Sequence, residues 1–220
     1  MARPSLRDAV NEAQRMCWDE SIGYTFGGDG NPDSNGYDCS AFVIRCLYRA
    51  GFNVPAYRVG TAYMKPYLQT AGFNILYPRT DAQCNQMVKP GDIIVMNHLD
   101  GSGGHTCFYM EDIRAYTDYQ AYSDNIGIVH HVRVEAQSSR GNTNRGDSRR
   151  NGTGAYWEVW CHAYWSLIYG YDPADPGDEV YIARWPWGLD DRDDILLLKR
   201  IRDGQFNLDD WTNKFMSDGI

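Results

Sequence analysis

Apolar residues recur at helical spacing up to residue 72 of the 220-residue chain and at strand spacing from about residue 89 onward. This one change of period restricts the fold more than any other feature. Leu6, Ala9, Val10, Ala13 and Cys17 share a face of a helix predicted over residues 5–18, with Ser5 and Asp8 resembling a capping box. Phe42, Val43, Cys46, Leu47 and Ala50 form the stripe of a second helix that opens near Cys39 and meets Gly51, where a left-handed cap is wanted. A third helical pattern runs from Thr61 to Ala71 and ends at Gly72, with Pro66 kinking it or delaying its start. Beyond it, "KPGDIIVMN" and "GGHTCFYM" each read as a turn followed by a strand, the second with His105, Cys107 and Tyr109 on one face. "IGIVHHVRVEA" and "YWEVWCHAYW" read as two further strands. Helices first and antiparallel strands after is the order of an α+β fold.

The connections carry their own signals. "GYTFGGDGNPDSNGY", residues 23–37, is a glycine-rich loop, and residues 138–155 are too polar and glycine-rich to be an element, so a long mobile loop is expected there. "YDPADPGDE", residues 171–179, has the composition of a linker, and "DILLLKRI" and "NLDDWTNKF" after it predict a small helical annex. The organisation expected is one domain over residues 1–170 and an acidic linker with annex over 171–220. Six of the eight net negative charges lie in those last fifty residues, where twelve acids face six bases. No basic stripe exists for a nucleic acid backbone or an anionic membrane, so neither partner is expected.

A nucleophile is the chemistry most open to this chain. A free thiol has a pKa near 8.5, and a helix N-terminus favours its thiolate. Cys39 stands at such an end, behind a loop that leaves the turn open, whereas Cys46 sits in the apolar stripe of the same helix as an inert thiol. A thiolate needs a base, and histidine titrates in the right range. Of the five histidines, His105 follows Ser-Gly-Gly at the start of a strand, where the bare backbone of Gly104 lets a substrate approach. The six cysteines include no C-x-x-C pair and predict buried free thiols rather than a disulfide framework or a zinc ribbon. A metal hydrolase built on His105 with His130 or His131 lacks the local spacing of zinc sites.

Taken in order, "YTFGG", "YDCSAFV", "KPGDIIVM" and "GGHT" resemble the NlpC-type cell-wall peptidases, papain-like cysteine hydrolases of bacterial peptidoglycan, and most of all their phage and prophage lysins. The resemblance covers roughly residues 5–170. It implies a papain-like fold with N-terminal helices packed on an antiparallel sheet, Cys39 as nucleophile and His105 as general base. It also implies a third residue that orients the imidazole, which by position is Glu135 in "VEAQSS", with His131 as the other candidate. Tyr24 matches a tyrosine near the nucleophile and is expected either to support the oxyanion with the Cys39 N–H or to be a packed loop aromatic. Asp38 is read as a helix-start or substrate-contacting acid, and Ser40 as a cap or a substrate hydrogen-bonder.

The expected function is therefore a cysteine amidohydrolase cleaving an amide of peptidoglycan, within the stem peptide or at the N-acetylmuramoyl-L-alanine junction. The other reading is a catalytically idle wall-binding or phage tail module of the same fold. No cofactor and no metal are expected. Asn31, Asp33, Asn35 and Gly36 mimic half of a calcium loop, but the position of its bidentate acid falls on Phe42. The N-terminus has no apolar signal region and no stretch spans a membrane, so synthesis in the cytoplasm and release by a holin-type route or on a phage particle are expected, with the protein acting as a monomer.

Overall fold

The structure is a computed structural model and describes residues 4–17, 23–24, 26–28, 36–109, 113–114, 128–129, 132–137, 156–161, 168 and 170–189. In chain order the elements are α1 (Leu6–Cys17), β1 (Gly23–Tyr24), β2 (Gly36–Tyr37), α2 (Cys39–Arg49), α3 (Thr61–Thr70), β3 (Asn74–Leu76), α4 (Asp81–Met87), β4 (Ile93–His98), β5 (Gly104–Tyr109), β6 (Ile113–Arg114), β7 (Ile128–Val129), β8 (Val132–Gln137), β9 (Tyr156–Cys161) and β10 (Asp178–Arg184). Six strands make one sheet in the order β3-β10-β4-β5-β8-β9. Every neighbouring pair in it is antiparallel. This is the α+β fold that the change of period predicts.

Both faces of this sheet are covered, which explains why its central strand reads as an unbroken apolar run. Ile93 and Val95 of β4 and Phe108 of β5 enter a core shared with α1 and α2, whereas Ile94, Met96 and Cys107 enter a second cluster with Cys84 of α4 and Ile168. Leu6, Ala9, Val10 and Ala13 of α1 are buried as their spacing requires, and Met16 joins them. Phe42, Val43, Cys46 and Leu47 of α2 are fully buried. The Ser5 hydroxyl accepts the Asp8 N–H at 3.2 Å, which closes the expected start of α1. Gly51 adopts φ +85° after α2, the left-handed stop that a Cβ would strain. Cys39, Cys46, Cys84 and Cys107 are free and buried.

The structure departs from the sequence reading in three respects. Pro66 does not delay α3, which begins at Thr61 and runs through the proline to Thr70. β3 and α4 carry too few residues to show a period and were not anticipated from it. The third departure concerns the acidic segment: residues 171–179 do not lead away from the domain as a linker but lead into β10, which lies inside the sheet between β3 and β4. Tyr181, Ile182 and Ala183 have no solvent exposure. Arg184, at the end of β10, reaches both Asp92 oxygens at 3.0 and 2.7 Å and fastens the strand to the turn before β4. Four apolar residues in a row are too few to outweigh the proline and aspartate content around them in a sequence reading. The helical annex expected after residue 189 and the loop 138–155 lie outside the described residues.

A chain ended at residue 170 is expected to lose this interior strand and with it cooperative folding. Circular dichroism should then show no sigmoidal thermal transition, and an unchanged midpoint would contradict the placement of β10.

Candidate active site

The short parallel ladder of β1 and β2 sets Tyr24 beside Tyr37, directly ahead of α2. Asp38 then takes the N-cap position with extended backbone, and its Oδ1 accepts the Ala41 N–H at 2.8 Å and the Ser40 hydroxyl at 2.7 Å. Its Oδ2 pairs with Nε of Arg58. Both oxygens are thus engaged by the chain itself. Of the two roles read from the sequence for each, the structure shows Asp38 as the helix-start acid and Ser40 as its support. An N-cap of this kind is worth about 1 kcal/mol, and it fixes the first turn on which Cys39 stands. Cys39 itself is 7% exposed.

His105 comes to the same place from the sheet. Its Nε2 lies 2.8 Å from Oε2 of Glu135, which projects from β8 with no solvent exposure. The imidazole also hydrogen-bonds Cys39. With Nε2 on the carboxylate, Nδ1 is the ring nitrogen left for the thiol. The carbonyl of Gly104 lies 4.0 Å from the Cys39 sulfur. A Cβ on Gly104 would overlap the Thr61 hydroxyl and stand 2.7 Å from Asn97 Oδ1, so this glycine is required by the packing of α3 and β4 against β5, not only by access.

Charge is concentrated here. Burial pulls the His105 pKa down, but the Glu135 carboxylate and the Cys39 sulfur outweigh it, and the group is raised to about 10. Tyr24 is half-buried. Desolvation, Cys39 and Asp38 all raise its phenol, with Arg58 opposing them, so it remains a protonated donor beside the sulfur. A thiol, an imidazole and a buried carboxylate are therefore joined in one chain of interactions, an arrangement able to activate a thiol for attack on a carbonyl.

Of the residues predicted from the sequence, Cys39, His105, Glu135, Tyr24, Asp38, Ser40 and Gly104 come together, and Glu135 is the one found on the imidazole. His131 and the Asn31–Asn35 loop lie outside the described residues. Among the described residues no group of three or more His, Cys, Asp and Glu could hold a metal ion. Sequence reasoning missed Arg58, which lies 20 positions beyond the carboxylate it meets. No spacing rule links the two, because Arg58 stands in the connection between α2 and α3.

The sequence model described as NlpC/P60 family matches residues 22–160, a span that contains Cys39, His105 and Glu135. No curated protein and no solved structure matches the chain.

The raised His105 pKa sets a pH dependence. An unfolded histidine titrates near 6.5 and the folded one near 10, so the native state holds a proton that the unfolded state releases across this window. The stability from this group is complete below about pH 6.5 and should decline as pH rises toward 10. Urea midpoints followed over that range should fall, and Glu135→Gln should flatten the slope; an equally steep slope in the variant would contradict the assignment.

Proposed function

The chain belongs to the NlpC/P60 family, whose members are generally cell-wall peptidases or amidases, and from that premise we propose that it is a cysteine amidohydrolase cutting an amide bond of bacterial peptidoglycan, as a lysin does. The observation that carries this reading is the position of His105, hydrogen-bonded to Cys39 on one side and to Glu135 on the other.

In the proposed reaction the Cys39 sulfur attacks the scissile carbonyl and a C–S bond forms. The C–N bond then breaks as the departing nitrogen takes a proton from His105, leaving a thioester. Water adds to the thioester while His105 receives its proton, and the C–S bond breaks to release the carboxylic acid and restore the sulfur. Glu135 holds the ring in one orientation and balances its positive charge throughout. The developing oxyanion is met by the Tyr24 hydroxyl and by the Cys39 N–H, which points out of the first turn of α2.

The cut bond lies within the stem peptide or at its junction with the sugar, and mass spectrometry of fragments released from purified peptidoglycan distinguishes the two by their new termini. Cys39→Ser should keep the thermal transition and lose release of dyed wall fragments by at least about a thousandfold, as removal of a nucleophile does. Undiminished release by that variant would refute the reading. Iodoacetamide at pH 6 should alkylate Cys39 well ahead of the buried Cys46, Cys84 and Cys107. Equal slow labelling of all four would instead favour an idle module of the same fold.

A further inference from the structure

The polar groups where the turn before β5 meets the turn before β10 are not used by this mechanism. The ring of Tyr171 stacks on His98 at 4.4 Å with an interplanar angle of 26°. His98 is anchored by its Nδ1 to Asp178 Oδ1 at 2.6 Å, and the second oxygen of Asp178 accepts the Asp172 N–H at 2.9 Å. The backbone ties the same residues together. His98 N–H donates to the Gly103 carbonyl at 2.9 Å and Leu99 N–H to the Gly177 carbonyl at 2.7 Å, so the turn between β4 and β5 is docked on the turn before β10.

This scaffold aims the Tyr171 hydroxyl over Gly103, where a Cβ would stand 4.0 Å from it. Gly103 leaves bare backbone beneath the phenol, two residues before His105, whereas the bare side of Gly104 is filled by Thr61 and Asn97. Among the described residues the hydroxyl has no hydrogen-bond partner, and both oxygens of the nearest acid, Asp178, are already taken. A phenol whose ring is fixed and whose hydroxyl is free loses little entropy on binding a ligand.

Which half of a substrate would reach it follows from the proton. The departing amine must lie within reach of His105, so the leaving half begins at the imidazole, two residues along β5 from Gly103 and the phenol above it. We propose that Tyr171 positions the leaving half of the substrate by donating a hydrogen bond to a backbone carbonyl of that peptide portion. Burial raises the Tyr171 phenol, and the Cys39 sulfur and Asp178 add to this, so the group stays a donor and lies within electrostatic range of the nucleophile. The inference rests on the amidohydrolase reading.

Two substrates with the same acyl half test it, one with the natural peptide as leaving half and one with a small dye amine. Tyr171→Phe should raise KM for the peptide substrate about fivefold, the loss of one neutral hydrogen bond. It should leave kcat, the thermal midpoint and the KM for the dye substrate unchanged. An equal rise on both substrates, or no rise on either, would overturn the assignment. So would a Tyr171→Phe chain that no longer unfolds cooperatively, because the hydroxyl would then have a structural partner. Failure of the unaltered protein to cut either substrate is a different result, and it overturns the amidohydrolase reading on which the inference stands.

Discussion

A carboxylate without solvent contact is stable as an anion only if positive charge is held against it, and Glu135 is such a carboxylate. Its counter-charge is His105, 2.8 Å away on the neighbouring strand. The pairing makes the fold and the chemistry one problem. Removing the imidazole would leave a buried anion, and removing the carboxylate would leave a buried ring with no reason to stay protonated or to face one way. The register of β5 against β8, which sets Phe108 opposite Val134, is what brings the two side chains within reach. A slip of one residue would turn Glu135 toward the opposite face.

The second half of the site is assembled by a different carboxylate. Asp38 is tied to the start of α2 at both backbone and side chain: its backbone oxygen accepts the Phe42 N–H, and its side chain holds the Ala41 N–H, the Ser40 hydroxyl and Arg58. Each tie constrains the first turn of α2, so the sulfur of Cys39 is presented at a fixed place relative to the sheet. The apolar side of α2, from Phe42 to Leu47, is buried in the core it shares with β4 and β5. The helix therefore cannot rotate to withdraw the thiol without exposing that stripe.

How much of this was legible in the sequence depends on the distance along the chain over which each signal acts. The thiol at a helix start is a local statement, made by Asp38, Cys39 and Ser40 together, and the glycines before His105 are another. α1 and α2 were legible because three turns of helix repeat their period. Glu135 could be placed by its position in a motif but not by any physical rule, since its partner lies 30 residues away. Arg58, His98 and Tyr171 gave no signal, because their meaning comes from contacts across the fold. The acids of residues 171–179 misled for the same reason. Asp172, Asp175 and Asp178 accept backbone N–H groups or bind His98 in a tight turn, yet in composition a tight turn and a flexible linker look alike.

The strong hold on the His105 proton raises a difficulty for the proposed reaction, since an acid with a pKa of about 10 gives up its proton reluctantly at neutral pH. The causes of the shift resolve it. Two groups oppose the desolvation of the ring: the Glu135 carboxylate and the Cys39 sulfur. Glu135 is permanent, but the sulfur supports the imidazolium only while it is free. When it bonds to the carbonyl carbon its negative charge moves to the oxyanion, and that charge is drawn off toward Tyr24 and the first turn of α2. The ring then keeps its burial and loses part of what compensated it, so it becomes a stronger acid at the stage where the departing nitrogen needs a proton. The same ring is a strong base before attack and a better acid after it, and the switch follows from placing one partner of the imidazole on the atom that reacts and the other on an atom that does not.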